Sequence, residues 1–208
     1  MTVSLEAIFR SQTASRDKFL SRVMGIFSES IVLTWVLSPQ SAYTNLGRPR
    51  ITLPESKKSY SLDFMLQPRG EEKSFIAEMK CELEYQNYRF LTLEDAQQIE
   101  HHKGEAFLAF LEAARYPERC QVIVNRGRAR KIQGAILVWG HVTPRGRAET
   151  MQRYGLIDVL SLQNIIGDLL KWRDQSYQDF LADRMTWCSE LFHGLGLEQD
   201  RIPRSPGA

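Results

Sequence analysis

SLDFMLQPRGEEKSFIAEMKCE, residues 61–82, places two apolar segments on either side of a turn-prone Pro68-Arg69-Gly70. Alternation over 60–66 puts Tyr60, Leu62, Phe64 and Leu66 on one face of a strand and Ser61, Asp63 and Met65 on the other. Over 75–82 the same alternation sets Phe75, Ala77, Met79 and Cys81 against Ile76, Glu78, Lys80 and Glu82. The intervening turn folds one strand back beside the other, so the carboxylate of Asp63 is expected close to Glu78 and Lys80. Two carboxylates and an ammonium converging at a strand end suit a divalent cation and an activated water.

Outward from this pair, the chain reads as a mixture of helices and strands. Phe19, Val23, Ile26 and Phe27 recur at helical spacing behind Ser15, a suitable N-cap. The β-branched stretch 31–37 stops at Ser38-Pro39, and periodicity leaves open whether it continues that helix. Residues 43–53, with Gly47 and Pro49 inside, suit an irregular edge strand. A helix is predicted over 93–114, capped by Thr92, with Ala96, Ile99, Ala106, Phe110 and Ala114 as its stripe. Gly104 inside it implies close packing there. The apolar run 121–125 is open as to type.

Ala135-Ile136-Leu137-Val138-Trp139 lies between two glycines as a continuous apolar run, the pattern of a strand buried on both faces. Thr143-Pro144 opens a helix to Tyr154, and a strand follows over 156–160. Ser161 caps a helix through Trp172, and Asp174 starts another ending near His193-Gly194. This order predicts an α/β fold: a mixed central β-sheet flanked by helices, with a helical C-terminal extension. It is expected as a single domain over 1–198, with a helical N-terminal segment 1–38, an α/β core 43–172 and a C-terminal helix 174–193. Residues 199–208 are expected to be a disordered tail.

Composition narrows the setting. A chain of 208 residues can bury a substantial core, and 43% hydrophobic with 25% charged residues describes an ordinary globular protein. No unbroken apolar run reaches 18 residues and the N-terminus has no secretory h-region, so neither a membrane span nor a signal peptide is expected. Cys81, Cys120 and Cys188 are widely spaced and odd in number, as suits reduced thiols in a cytoplasmic protein. Net charge is only +2, so nucleic-acid affinity has to be sought in local clusters. Arg126, Arg128, Arg130 and Lys131 form one, suited to backbone phosphates or, equally, to a solvated loop.

Glu-x-Lys occurs three times, at Glu55…Lys57, Glu71…Lys73 and Glu78…Lys80. Only the third lies in an apolar strand, where charged side chains are costly unless paired or bound to metal. It alone has an aspartate on the strand before it. The plainer alternative is a buried salt bridge in which Lys80 neutralises Asp63 or Glu78.

On Asp63, Glu78 and Lys80, and on element order over roughly residues 15–170, the sequence resembles the PD-(D/E)XK nuclease superfamily, the restriction-endonuclease-like fold. The proline that precedes the aspartate in that family is replaced by Leu62. The resemblance implies a Mg2+-dependent DNA endonuclease, with Mn2+ able to substitute. It assigns the metal to Asp63, Glu78 and the Met79 carbonyl, and the attacking water to Lys80. It also suggests Glu29, or less well Glu6, as an acidic residue on the first helix. Gln98 with His102, or Gln97 with His101, stands where some members carry Gln-x-x-x-Tyr. A polar flank of an amphipathic helix is the weightier reading of these four. Adjacent histidines diverge on a helix and no partner ligand is evident, so spacing alone does not make His101 and His102 a metal site. DNA is the implied partner. The large apolar groups of the last two helices suit either packing on the sheet or a homodimer. A catalytically inactive protein of the same fold, serving as a DNA-binding or scaffold subunit, is the rival expectation, and an unrelated mixed α/β ligand-binding protein is a third.

Overall fold

A computed structural model describes residues 14–54, 58–81, 91–125, 127 and 129–197. Its architecture is mixed α/β: a mixed central sheet flanked by helices. The central sheet has five strands: β1 (Tyr43–Gly47), β4 (Phe64–Pro68), β5 (Phe75–Lys80), β9 (Gly134–Trp139) and β11 (Asp158–Ser161), in the order β1-β4-β5-β9-β11. The first two junctions are antiparallel and the last two parallel. Strand β9, parallel to a neighbour on each side, is buried at every position, as its unbroken apolar run predicts.

Helix α1 (Ala14–Leu37) covers one face, so the stretch 31–37 is helical despite its β-branched residues. Ile31, Val32, Trp35 and Val36 are buried there with Phe64, Leu66 and Val138, and this tertiary burial outweighs local propensity. Helices α4 (Leu162–Lys171) and α5 (Gln175–Gly194) complete the layer, and Trp35 donates to Asp168 at 3.1 Å. Within α5 only Tyr177 is buried; Met185, Trp187 and Leu191 are exposed. The stretch Lys18–Leu37 is long and apolar enough to cross a membrane by length and composition, contrary to expectation. Arg22, Ser28, Glu29 and Ser30 interrupt it, which is why no unbroken apolar run marks it.

On the other face lie α2 (Glu105–Arg115), α3 (Pro144–Tyr154) and a second sheet with order β3-β2-β7-β8. Its strands are β2 (Pro49–Thr52), β3 (Ser59–Ser61), β7 (Gln121–Val124) and β8 (Ala129–Arg130). The chain passes from β1 into β2 through Gly47, whose φ of +114° is left-handed and where a Cβ would come within 2.9 Å of the Asn125 side chain. The single strand expected over 60–66 is therefore two. Leu62 donates its N–H to the Pro49 carbonyl in the second sheet, then the chain bends at Asp63 and enters the central sheet. The bend breaks the alternation: Leu62 packs with Met65 and Ile76 on the α2 side, whereas Phe64 and Leu66 face α1.

The helix expected over 93–114 is also divided. β6 (Thr92–Leu93) pairs in parallel with β10 (His141–Val142), so Thr92 is a strand residue and not a cap. Asp95 caps a short 3-10 helix, Ala96–His101, and Gly104 is the N-cap of α2 with open space where its Cβ would be. Close packing does not explain this glycine. Thr143, Ser161 and Asp174 cap α3, α4 and α5 as the sequence predicts.

Candidate active site

Phe64 stands opposite Ala77 in the antiparallel β4–β5 pair, so Asp63, one residue earlier, meets the level of Glu78, one residue later. The carboxyl end of β5 carries Glu78, Met79 and Lys80 beside the start of β4. The three residues singled out in the sequence therefore come together. Asp63 Oδ2 accepts the Met79 N–H at 2.8 Å. A strand residue directs its N–H and C=O to the same neighbour, so the Met79 carbonyl is turned toward Asp63 as well. Lys80 Nζ donates to Glu78 Oε1 at 2.5 Å and to the Met79 carbonyl at 3.3 Å, and lies 5.5 Å from the centre of the Phe107 ring.

Glu78 is 6% exposed. Burial pushes its carboxyl pKa up, the nearby Asp63 carboxylate adds to the rise, and Lys80 opposes it. Its Oε1 is taken by Lys80, while its buried Oε2 has no hydrogen-bond partner among the described residues. Such an orphaned carboxylate oxygen costs desolvation free energy unless a donor or cation meets it.

Glu29, on α1, reaches the same neighbourhood through an arginine that carried no signal in the sequence. Arg48 Nη2 lies 3.3 Å from Asp63 Oδ1 and 3.4 Å from Glu29 Oε1, and its Nε donates to the Leu62 carbonyl. Three carboxylates thus face two cations, Arg48 and Lys80, a balance that leaves room for positive charge. Among the described residues no three His, Cys, Asp or Glu side chains form a group able to hold a metal. The oxygens on offer are two carboxylates and one peptide carbonyl, hard donors of the kind Mg2+ takes while keeping several waters.

Gln98 does not point to this cluster. Its Oε1 accepts the N–H groups of Glu94 and Asp95 and its Nε2 donates to the Thr92 carbonyl, which makes it half of a capping box with Asp95. His102 does approach. Because the 3-10 helix ends at His101, the two histidine rings are not splayed apart but lie 4.1 Å apart. The His102 ring also meets Phe107 and Trp139, at 5.1 and 5.6 Å. Burial, then His101 and Lys80, lowers the His102 pKa from the ordinary 6.5 to about 4, so the ring is neutral at pH 7.

Of the basic cluster, Arg126 and Arg128 lie outside the described residues, as does Glu6. Arg130 and Lys131 are exposed at the edge strand β8 and just beyond it. Comparison with family models, curated proteins and solved structures finds no match for this chain.

Proposed function

We propose that this chain is a Mg2+-dependent endodeoxyribonuclease with the restriction-endonuclease-like fold of the PD-(D/E)XK superfamily. The observation that carries the reading is the buried Oε2 of Glu78, without a hydrogen-bond donor among the described residues and set beside Asp63 and an ammonium at the end of a central strand. Asp63, Glu78 and the Met79 carbonyl would hold Mg2+, or Mn2+ in its place. A divalent cation there supplies Lewis acidity that acidifies water and offsets charge on the scissile phosphate. Lys80, fixed by Glu78 and the Met79 carbonyl, orients the attacking water and stabilises its hydroxide form. Asp63 keeps β4 and β5 in register through the Met79 N–H while leaving its Oδ1 toward Arg48. Neutral His102 walls the site with Phe107 and adds no competing positive charge.

Arg130 and Lys131 would meet backbone phosphates away from the reacting bond. The exposed apolar row of α5 suits a second copy of the chain, which sedimentation would reveal as a dimer. The three cysteines stand as thiols, as suits a cytoplasmic setting.

The test is a cleavage panel of linear, circular, branched and single-stranded DNA, with and without Mg2+. Cutting that needs Mg2+ and disappears in Asp63→Asn is the expected result. No cutting of any substrate, or cutting retained in that variant, overturns the proposal. One feature favours a second reading, an inactive DNA-binding or scaffold subunit: the close Lys80–Glu78 pair already neutralises one carboxylate. Mn2+ titration separates the two, since an inactive subunit would leave Mn2+ unbound.

A further inference from the structure

The second sheet has one face in the core and one open. Ile51, Val122 and Val124 are buried beneath it, so the alternate residues of β2, β3 and β7 face outward. Register aligns Arg50 with Ser61 on one side and Ile123 on the other. Thr52 stands opposite Ser59, their hydroxyls 2.8 Å apart. Together with Arg48 and Asn125, these residues border an open groove of about 490 Å³.

Its chemistry is one-sided. Two guanidiniums, three hydroxyls and an amide line it, and among the described residues no carboxylate does. Arg50 is exposed and has no ion-pair partner among the described residues. At the other end Arg48 borders the groove while contacting Asp63 and Glu29, so one residue joins the groove to the carboxylate cluster. Arg130 stands opposite buried Val122, hence on the face turned away from the groove. Arg130 is therefore not one of the groove's cations.

We propose that this groove binds the phosphodiester backbone of DNA next to the carboxylate cluster, with Arg50 as its anchoring cation and the Thr52, Ser59 and Ser61 hydroxyls as supporting donors. The Arg50 guanidinium, with no ion-pair partner among the described residues, and the hydroxyl donors around it match a chain of phosphates and read no base. The choice of DNA as the polymer rests on the nuclease reading above; the groove's selectivity for phosphate does not.

The experiment is fluorescence anisotropy of a labelled DNA duplex with the full chain in EDTA, over 50–200 mM salt, where cleavage does not intervene. Arg50→Ala should weaken binding several-fold and reduce the slope of log affinity against log salt by about 0.9, the loss of one phosphate contact. Arg50→Lys should restore the slope, and Lys171→Ala, on the opposite side of the central sheet, should change neither. Unchanged affinity and slope in Arg50→Ala overturn the proposal, as does displacement of the duplex by polyglutamate at an equal concentration of negative charge. Arg50-dependent binding without Mg2+-dependent cutting by the wild type upholds the groove and removes the nuclease. Cutting by a wild type whose binding ignores Arg50 does the reverse.

Discussion

Replacing Asp63 by alanine and, separately, by asparagine divides its part in the fold from its part in chemistry. Its Oδ2 accepts the Met79 N–H at 2.8 Å, and the side chain is 18% exposed. A hydrogen bond to a charged group in such a place contributes about 1.5–3 kcal/mol. The Arg48 contact is longer, and the arginine is 58% exposed, so it adds about 0–1 kcal/mol. Alanine should therefore cost about 2 kcal/mol, and at roughly 2–4 °C per kcal/mol for a chain of this size Tm falls by about 4–8 °C. Asparagine keeps an oxygen for Met79 and removes a negative charge from beside Glu78, so its Tm should stay within about 2 °C of wild type. Both should lose Mg2+-dependent cleavage. Differential scanning calorimetry with a plasmid-nicking assay on the same preparations makes the comparison. Equal melting temperatures for alanine and wild type, or for alanine and asparagine, would refute the β4–β5 clamp.

Glu78 and His102 give opposite pH signatures. The folded-state pKa of Glu78 is raised, so its contribution to stability is greatest below the unfolded value of about 4.3 and falls as pH rises toward the folded one. Glu78→Gln should gain Tm relative to wild type between about pH 4 and pH 7; a relative loss over that range would contradict the buried, donor-poor carboxylate. The His102 pKa is depressed, so stability should fall as pH drops from 6.5 toward about 4, when the unfolded chain takes up a proton that the folded one refuses. In NMR, the His102 ring signals should not titrate between pH 5.5 and 8. A midpoint near 6.5 would place the ring in solvent, away from Phe107 and Trp139.

The site was legible because charge stood out against an apolar strand: Glu78 and Lys80 inside FIAEMK have no ordinary surface role, and alternation put them on one face. The capping residues Thr143, Ser161 and Asp174 and the buried strand β9 could also be read, since each rests on local chemistry. What escaped depends on distant partners. Thr92 has the chemistry of a cap, yet it pairs with His141 in a strand 49 residues away. Leu62 continues the apolar row of its strand, yet its N–H belongs to Pro49 and its side chain to the opposite layer. The second sheet joins 49–52 to 121–124 across the whole central unit, and no short-range pattern announces that pairing. Arg48 sits in an irregular polar stretch, and only the folded chain brings it to Asp63 and Glu29.

Supercoiled plasmid incubated with Mg2+ and wild type, Glu78→Gln or Lys80→Met puts the central claim to its most direct trial. Nicked or linear product is expected from wild type alone, abolished by EDTA, with both variants folded and inactive. Cleavage by either variant at the wild-type rate, or intact plasmid with folded wild type and saturating Mg2+, would contradict it.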